Sequence, residues 1–351
     1  MSNLKPLTVL ATSVGNDGFP SVFKALKENG ERDVKIVGVD VRRSAAGLYL
    51  SDASALVSTR DVEDGQAVLR ELLALIEQHD VDVLLPLSTQ DQSFFATHRD
   101  VFAAVGVPVI VGTLESIETS NNKLALLEAS STAGIPCPDY VAVDSVEEVE
   151  AALPRLGWPE RPFVFKTNLG TGAQGVKIVE PNRPAFERLL DRDNMRIPLR
   201  DLLEGLSAAD LFPPSHLAEF LVGEEYSVDV LCHDGVSLSV VVRDRLATLY
   251  GLATHSVVID DPEIHEAAVR VVKLMSLSYV VNVQFRRDAA GTARLMEVNP
   301  RIPGTIGLSV EAGVNMPYLA IKLALGEEFD APQPRIGTEL VRTWQTLTID
   351  A

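Results

Sequence analysis

Leu295-Met296-Glu297-Val298-Asn299-Pro300-Arg301 lies near the C-terminus, a short distance after Asn282-Val283-Gln284-Phe285. Both segments alternate polar and apolar residues, as half-buried β-strands do. Alternation places the polar side chains of each segment on one face: Asn282 and Gln284 on the first, and Glu297, Asn299 and Arg301 on the second. Carboxylate and amide oxygens are the ligands that Mg²⁺ prefers, and guanidinium groups bind phosphate. The two segments therefore predict adjacent strands that hold metal and phosphate.

Length and charge narrow the classes of protein to consider. A chain of 351 residues can form two or three domains with substantial cores. It carries 49 acidic and 31 basic side chains, which gives a formal net charge of -18. This acidity argues against nucleic acid or an anionic membrane as a general partner, although a local basic pocket for a small anion is compatible with it.

The cysteines and the apolar segments bear on cellular location. Cys137 and Cys232 are the two cysteines, and their number fits ordinary thiols in a reducing compartment. The N-terminal apolar run is too short for a secretory signal, and no stretch approaches the roughly 18 apolar residues of a membrane span. We therefore expect a soluble cytoplasmic protein.

The first hundred residues alternate strand-like and helix-like segments, which predicts a doubly wound parallel sheet. Strands are expected at 7–11, 35–40, 81–86 and 107–111, and helices at 19–29 and 67–78. The Gly15–Gly18 turn lacks the third glycine of a dinucleotide fingerprint, so a generic α/β turn is favoured over NAD binding. Ligands of such sheets bind beyond the carboxyl ends of the strands, so we expect residues 12–18 and 87–91 to border a substrate pocket.

The middle of the chain combines lysines with glycines. Asn122 is placed to cap a helix that begins at Lys123 and ends near Gly134. A buried strand at 163–166 ends in Lys166, and a glycine-rich stretch at 167–176 leads into a strand at 177–179. This pattern predicts a hairpin and not a P-loop. Its glycines could cover phosphates with backbone N–H groups, or could simply form a mobile turn.

Three further segments carry candidate residues. Residues 217–230 read as two strands around a turn at Gly223-Glu224, which taken alone is an ordinary hairpin. Arg243 and Arg245 lie two apart on a strand, where they form either a solvated edge face or an anion site. A helix at 261–277 carries His265 on its surface. No histidine has the spacing of a zinc site or of a Ser-His hydrolase.

In this order the elements resemble the ATP-grasp superfamily, particularly the branch related to the synthetase domains of carbamoyl phosphate synthase. The resemblance covers residues 1 to about 330. It implies an α/β fold in which an N-terminal doubly wound domain (1–115) precedes a small lobe with the glycine loop (116–216) and a large lobe with the Mg-ATP site (217–351). It also implies roles for individual residues. ATP would bind to Lys123, Lys166, Gly172, Gly175, Glu219, Phe220, Val222 and Glu225. Metal would bind to Gln284, Glu297 and Asn299.

The resemblance further implies a ligase, in which ATP phosphorylates a carboxylate and an amine then displaces phosphate. Arg301, Lys166 and Asn299 would be catalytic, and Arg243, Arg245, Arg301 and Gly304 would contact a carboxylate-bearing substrate. ATP and Mg²⁺ are the expected cofactors, with Mn²⁺ as a substitute. The expected partners are small-molecule carboxylates and amines, with neither nucleic acid nor membrane, and a homodimer is compatible with the family.

Departures from the family pattern leave alternatives. A single module and the absence of a glutaminase-like cysteine motif argue against carbamoyl phosphate synthesis. Residues 219–222 resemble the adenine-binding hinge of the family. They lack the lysine that follows the glutamate in the hinge of biotin carboxylase. Two other hypotheses are a carboxylate kinase or carbamoyl-phosphate-type module, and a regulatory nucleotide-binding protein whose site has decayed. Retention of Lys123, Lys166, Glu297 and Arg301 argues against decay.

Overall fold

Three sheets follow one another along the chain, with four, five and six strands. The computed structural model describes residues 4–59, 65–170, 174–181, 184–190, 195–249 and 251–349. Each sheet buries its own apolar side chains, and the largest cluster joins the first sheet to the third. The order of the sheets agrees with the predicted order of an N-terminal domain, a small lobe and a large lobe.

The first sheet is parallel with strand order β3-β2-β1-β4. Its strands are β1 Leu7–Thr12, β2 Val34–Asp40, β3 Ala53–Leu56 and β4 Val83–Pro86. Its helices are α1 Phe19–Lys27, α2 Gly47–Leu50, α3 Gln66–His79, α4 Thr89–Thr97, α5 Arg99–Ala104 and α6 Leu114–Asn121. Helices cover both faces: α1 packs with Val9 and Ile36, and α3 packs with Leu10 and Val37. The doubly wound parallel sheet is confirmed.

Two details of this domain differ from the prediction. The fourth strand expected at 107–111 is reduced to one parallel bridge between Leu84 and Val109. Pro108 has no N–H to donate, so within the described residues this segment pairs with β4 through two backbone hydrogen bonds only, both made by Leu84. The sheet instead contains β3, a short half-exposed strand. The sequence does not predict it, because its four residues show no clear alternation of polar and apolar side chains.

The second sheet has strand order β5-β9-β6-β7-β8. Its strands are β5 Tyr140–Val143, β6 Phe163–Thr167, β7 Val176–Val179, β8 Arg196–Ile197 and β9 Ser215–Glu219. The accompanying helices are α7 Lys123–Thr132, α8 Val146–Ala152, α9 Ala185–Leu190 and α10 Leu199–Ser207, with a 3₁₀ turn at Leu153–Leu156. Antiparallel pairing of β6 with β7 confirms the predicted hairpin.

The third sheet has strand order β14-β13-β10-β11-β12-β15 and its pairs are antiparallel. Its strands are β10 Glu225–His233, β11 Val236–Leu249, β12 Leu252–Val258, β13 Tyr279–Arg287, β14 Ala293–Asn299 and β15 Glu339–Val341. Its helices are α11 Pro262–Leu274, α12 Gly307–Glu311 and α13 Met316–Ala324. One face packs on α11 and α7, and the other faces the N-terminal domain.

The sheets correct the predicted lobe boundaries. The boundary at 216/217 falls inside β9, and the two lobes meet instead between Glu219 and Glu225. Helix α7, assigned to the small lobe by the sequence, buries Leu126 and Leu127 against the six-stranded sheet. The apolar face of α7 thus fixes Lys123, its first residue, relative to the large lobe.

A stability prediction follows from the cap of α7. Asn122 accepts a hydrogen bond from the backbone N–H of Ala125, 3.1 Å away. Asn122→Ala leaves that N–H without its cap and should lower the free energy of unfolding by about 1 kcal/mol. Chemical denaturation measures this loss. Asn122→Ser is the matched control, since serine caps equally well, and an equal loss in both variants would contradict the capping role.

Candidate functional site

The polar side chains of β13 and β14 meet as the alternation predicts. Asn282 lies opposite Asn299, and Gln284 lies opposite Glu297, so all four share one face of the six-stranded sheet. Asn299 Nδ2 donates to Glu297 Oε1 at 2.8 Å, and Gln284 Nε2 donates to Asn282 Oδ1 at 3.0 Å. The expected pair of adjacent strands, with hard oxygen donors on one face, is confirmed.

Arg245 extends this polar face from β11. It forms an ion pair with Glu225 and donates to Gln284 Oε1 at 3.2 Å. Its side chain is only 3% exposed. Burial lowers the pKa of Arg245, while the nearby carboxylate of Glu225 raises it. Strand β11 lies between β10 and β12, so the solvated edge face considered from the sequence is wrong for both arginines.

A buried carboxylate, Asp229, organises the centre of the same face. Its Oδ1 accepts from Arg243 Nη2 at 2.6 Å and from Asn282 Nδ2 at 2.8 Å, while Ser309 donates to its Oδ2. The side chains of Asp229 and Arg243 are fully buried. A buried ion pair loses its hydration, and removal of one partner leaves a costly unpaired charge. This constraint fixes the side chain of Asn282 beside the predicted metal residues.

Two lysines approach the face, Lys123 from the start of α7 and Lys166 from β6 of the small lobe. Lys123 Nζ donates to the carbonyl of Gly170 at 2.9 Å, and the backbone N–H of Lys123 donates to Asn168 O at 2.8 Å. Lys166 lies at the end of β6 and is 7% exposed. Burial lowers the pKa of both lysines, and the carboxylate of Glu297 opposes that shift in each. The α7 terminus and β6 therefore bring both ammonium groups toward Glu297.

His216 lies beside Lys166 in the neighbouring strand β9. Its ring is fully buried, Nδ1 lies 2.8 Å from Asn168 Oδ1, and Nε2 has no hydrogen-bond partner among the described residues. Burial lowers the pKa of His216 to about 3, and Lys166 and Lys123 add to the shift. A neutral ring at this position adds no positive charge to the lysine pair.

Arg301 completes the arrangement from the loop after β14. Its Nε donates to Thr89 Oγ1 at 3.0 Å and its Nη2 donates to Asn299 Oδ1 at 3.3 Å. Burial lowers the pKa of Arg301, and the carboxylates of Glu297 and Asp229 raise it. Thr89 belongs to the N-terminal domain, so the 87–91 segment borders this site as the sequence predicts.

Glu297 is the electrostatic centre of these contacts. Its carboxylate acts on the pKa of four cations, which come from four different elements: Lys123, Lys166, Arg245 and Arg301. Four cations beside two carboxylates, those of Glu297 and Glu225, leave a local excess of positive charge in a chain of net charge -18. Such a cluster favours a multiply charged anion, with oxygen donors beside it for a metal ion.

Gly170, in the described part of the glycine loop, contacts this cluster through Lys123. The loop's described part begins at Gly170, whose carbonyl binds Lys123, and resumes at Gln174. Gly175 has φ +71°, and a Cβ there would lie 2.0 Å from Thr167 Oγ1, so glycine is required at this turn. Gly172, predicted to bind ATP, lies outside the described residues.

The segment joining the lobes corrects the predicted hairpin. Strands β9 and β10 do not pair, because they belong to different sheets. Glu219 ends β9, and the following residues cross to Glu225 at the start of β10. Phe220 is held between two guanidinium groups, those of Arg196 and Arg286, at 5.8 and 5.7 Å from the ring centre. Val222 is exposed. These residues therefore form an interlobe link, beside the cation cluster.

Arg243 and Gly304 lie next to the cluster and not within it. Arg243 Nη1 approaches Thr305 O at 3.5 Å, and Gly304 packs against Gly18 of the N-terminal domain. A Cβ at Gly18 would lie 2.9 Å from Gly304 Cα. Sequence reasoning missed Asp229 and His216. The sequence feature that could have indicated a buried functional role for Asp229 is an acidic residue within the largely apolar segment 226–232.

The described ranges contain no group of three or more His, Cys, Asp or Glu side chains that could hold a metal ion. The donor set at Glu297 therefore consists of one carboxylate and two amide oxygens. Within the same described ranges, no helix is long and apolar enough to cross a membrane.

Two protein families match regions of this lobed α/β chain. The family described as "ATP-grasp in the biosynthetic pathway with Ter operon" matches residues 211–346. The family described as "PylC-like, N-terminal domain" matches residues 9–110. The chain therefore contains an ATP-grasp domain behind a PylC-like N-terminal domain, and the resemblance seen in the sequence is confirmed.

Individual relatives are more distant. The carbamoyl phosphate synthase large chain of Bifidobacterium longum (strain DJO10A) is 24% identical over 235 residues, which is 64% of this chain and 20% of that protein. An L-arginine-specific L-amino acid ligase of Bacillus subtilis is 28% identical over 167 residues, 47% of this chain and 38% of the relative. The chain thus spans about a fifth of the length of the first of these relatives.

Solved structures support the fold. A biotin carboxylase–beta-gamma-ATP complex from Campylobacter jejuni superposes with a TM-score of 0.69 at 17% identity, covering 94% of this chain and 73% of that one. At this identity the likeness shows the shared fold alone.

A pH dependence follows from His216. Its pKa is about 3 in the folded protein, against an ordinary value of 6.5, so the unfolded state binds the proton more tightly. Stability should therefore fall as the pH drops below about 7, by about 2 kcal/mol between pH 7 and pH 5 from this group. Denaturant unfolding of wild type and His216→Gln at both pH values measures it.

The variant should lose that part of the pH dependence. His265→Gln is the control, since His265 is exposed on α11 and should leave the pH dependence unchanged. An identical pH dependence in wild type and His216→Gln would contradict the assignment of a buried neutral ring.

Proposed function

We propose that the protein is an ADP-forming, ATP-dependent ligase that couples a carboxylate to an amine. The observation that carries this proposal is the carboxylate of Glu297 among four cations, one of which is also paired with Glu225. Such a site suits the triphosphate of ATP, because cations balance its charge while Glu297 and the amide oxygens provide donors for a metal ion. The match to an ATP-grasp family supports the nucleotide.

The donor chemistry fits Mg²⁺. Glu297, Asn299 and Gln284 offer one carboxylate and two amide oxygens on one sheet face, and phosphate oxygens would fill the remaining positions, as is usual for Mg²⁺ in phosphoryl-transfer sites. The same hard donors suit Mn²⁺. When bound, the metal ion would neutralise charge that develops on the phosphates.

The other residues of the site would contact different parts of ATP. Lys123 and Lys166 would hold phosphate oxygens, and the interlobe link with Glu225 would border the nucleoside. Arg301 would lie at the transferring phosphoryl group, because Asn299 and Thr89 orient its guanidinium. Such positioned charges lower the barrier without a covalent protein intermediate.

The reaction would have two balanced steps. A carboxylate oxygen attacks the γ-phosphorus of ATP, and ADP leaves, which gives an acyl phosphate. The amine nitrogen then attacks the acyl carbon, the C–O bond to phosphate breaks, and the departing phosphate accepts the amine proton. Closure of the glycine loop would keep water from the acyl phosphate.

The proposal also covers the substrates, the oligomeric state and the cellular location. Small-molecule carboxylates and amines are the proposed substrates, and a homodimer is compatible with it. A cytoplasmic location is supported by Cys137 and Cys232, which are both unpaired and buried. Retention of all four cations and of Glu297 favours a working enzyme over a decayed regulatory site.

Glu297→Gln tests the proposal. The substitution removes the central negative charge while keeping the shape, and we expect turnover to fall by roughly 10²–10³-fold, as loss of a preorganised charge does. Release of ADP is measured with ATP, Mg²⁺, a panel of carboxylates, and hydroxylamine as the amine, which also traps an acyl phosphate as a hydroxamate.

Glu266→Gln is the matched control, because Glu266 is an exposed acid on α11 away from the site. Full activity of Glu297→Gln would refute the role of Glu297. Formation of AMP would refute the acyl phosphate route, and ADP release without any amine would identify a carboxylate kinase.

A further inference from the structure

A second cavity lies beside the cation cluster, between the N-terminal domain and the large lobe. Its volume is about 830 Å³. The walls comprise the β1–α1 loop with Gly15–Asp17, helix α2, strand β12, and the C-terminal segment 340–349. Small-molecule sites of a few hundred Å³ and more typically occur at such domain interfaces.

Two arginines, Arg243 and Arg342, line this cavity, and Arg243 is fully buried in its ion pair with Asp229. Arg342 donates to the backbone carbonyls of Gly304 and Asp17, which orient the guanidinium without neutralising it. Burial lowers the pKa of Arg342, and Arg243 lowers it further, while the exposed carboxylate of Asp17 opposes the shift. Arg243 is fully buried and paired with Asp229, so an anion in the cavity would bind Arg342 and offset the repulsion that Arg342 experiences from Arg243.

The two arginines connect the cavity wall to the loop that follows β14. Arg243 approaches Thr305 O and Arg342 binds Gly304 O, so both arginines hold the loop that begins at Arg301. Arg243 also shares the carboxylate of Asp229 with Asn282, whose partner across the sheet is Asn299. An anion bound to Arg342 therefore lies next to the loop that begins at Arg301.

Apolar side chains make up another part of the cavity wall. Phe23 and Leu50 line the cavity from the N-terminal domain, and Trp344, Leu347 and Ile349 line it from the C-terminal segment. Trp344 is 69% exposed and Ile349 is 54% exposed. Large apolar side chains that face a cavity while exposed to water gain free energy when an apolar ligand covers them.

We propose that this cavity binds the carboxylate substrate, and that this substrate is an organic acid with an apolar body of aromatic amino-acid size. Arg342 holds its carboxylate, Arg243 stays paired with Asp229 behind the cavity wall, and the segment with Trp344, Leu347 and Ile349 sets the preference for its body. The inference rests on the proposed ligase function and narrows its substrate class. Bicarbonate and acetate are too small to cover the apolar wall.

Tryptophan fluorescence tests the proposal without turnover. The chain has two tryptophans, and Trp158→Phe leaves Trp344 as the reporter. Titration with 3-phenylpropionate should shift Trp344 emission to shorter wavelength in a saturable way, whereas acetate and the uncharged 3-phenylpropanamide should not. Calorimetry on the wild-type chain gives the same comparison if Trp158→Phe, which removes a ring packed on Phe163, folds poorly.

Arg342→Gln should weaken 3-phenylpropionate binding at least tenfold and leave Mg·ATP binding unchanged. Arg335→Gln is the control, because Arg335 is an exposed arginine that also donates to a backbone carbonyl, that of Glu311, outside the cavity wall. No saturable response to 3-phenylpropionate, equal binding of the amide, or an equal effect of both arginine variants would overturn the proposal.

The failure of this inference is distinguishable from failure of the ligase proposal. ADP release with acetate or bicarbonate but not with 3-phenylpropionate would overturn the substrate class and leave the ligase in place. Saturable binding of 3-phenylpropionate without ADP release for any carboxylate and amine would support the cavity and contradict the ligase.

Discussion

The charge of one carboxylate, Glu297, among four cations is the interaction on which the rest of the site depends. Lys123 comes from α7 and Lys166 from β6 of the small lobe, while Arg245 and Arg301 come from the large lobe and the loop that follows β14. Without Glu297 these groups would repel one another at the junction of the lobes. With it, they leave an excess of positive charge that an anion can balance, in a chain whose overall charge would otherwise repel anions.

Buried structure holds this charge arrangement in place. The Asp229–Arg243 pair lies beneath Asn282 and ties the polar face to α12 through Ser309. Helix α7 packs its apolar side chains on the six-stranded sheet and so positions Lys123 against the large lobe. Positions determined by packing and by satisfied buried hydrogen bonds need little reorganisation when a ligand binds, which is the basis of electrostatic preorganisation.

Much of this arrangement is readable from local patterns. Alternation in 282–285 and 295–301 predicts two paired strands with donors on one face, and Asn122 before an apolar helix predicts the position of Lys123. Other features depend on tertiary pairing. Strands β9 and β10 have the same local pattern whether they join each other or two different sheets, so a hairpin was the wrong interpretation. His216 lies opposite Lys166 because of the register between β9 and β6. Arg342 lines its cavity because the C-terminal segment forms part of the cavity wall.

The most direct test of the central claim is the dissociation constant of ATP with and without Mg²⁺, for wild type and Glu297→Gln, by calorimetry. The account predicts that Mg²⁺ strengthens ATP binding in wild type, and that Glu297→Gln loses this gain while metal-free ATP binds at least as tightly as before, because a negative charge has been removed from the cation cluster. An equal gain from Mg²⁺ in both proteins, together with weaker metal-free binding in the variant, would contradict it.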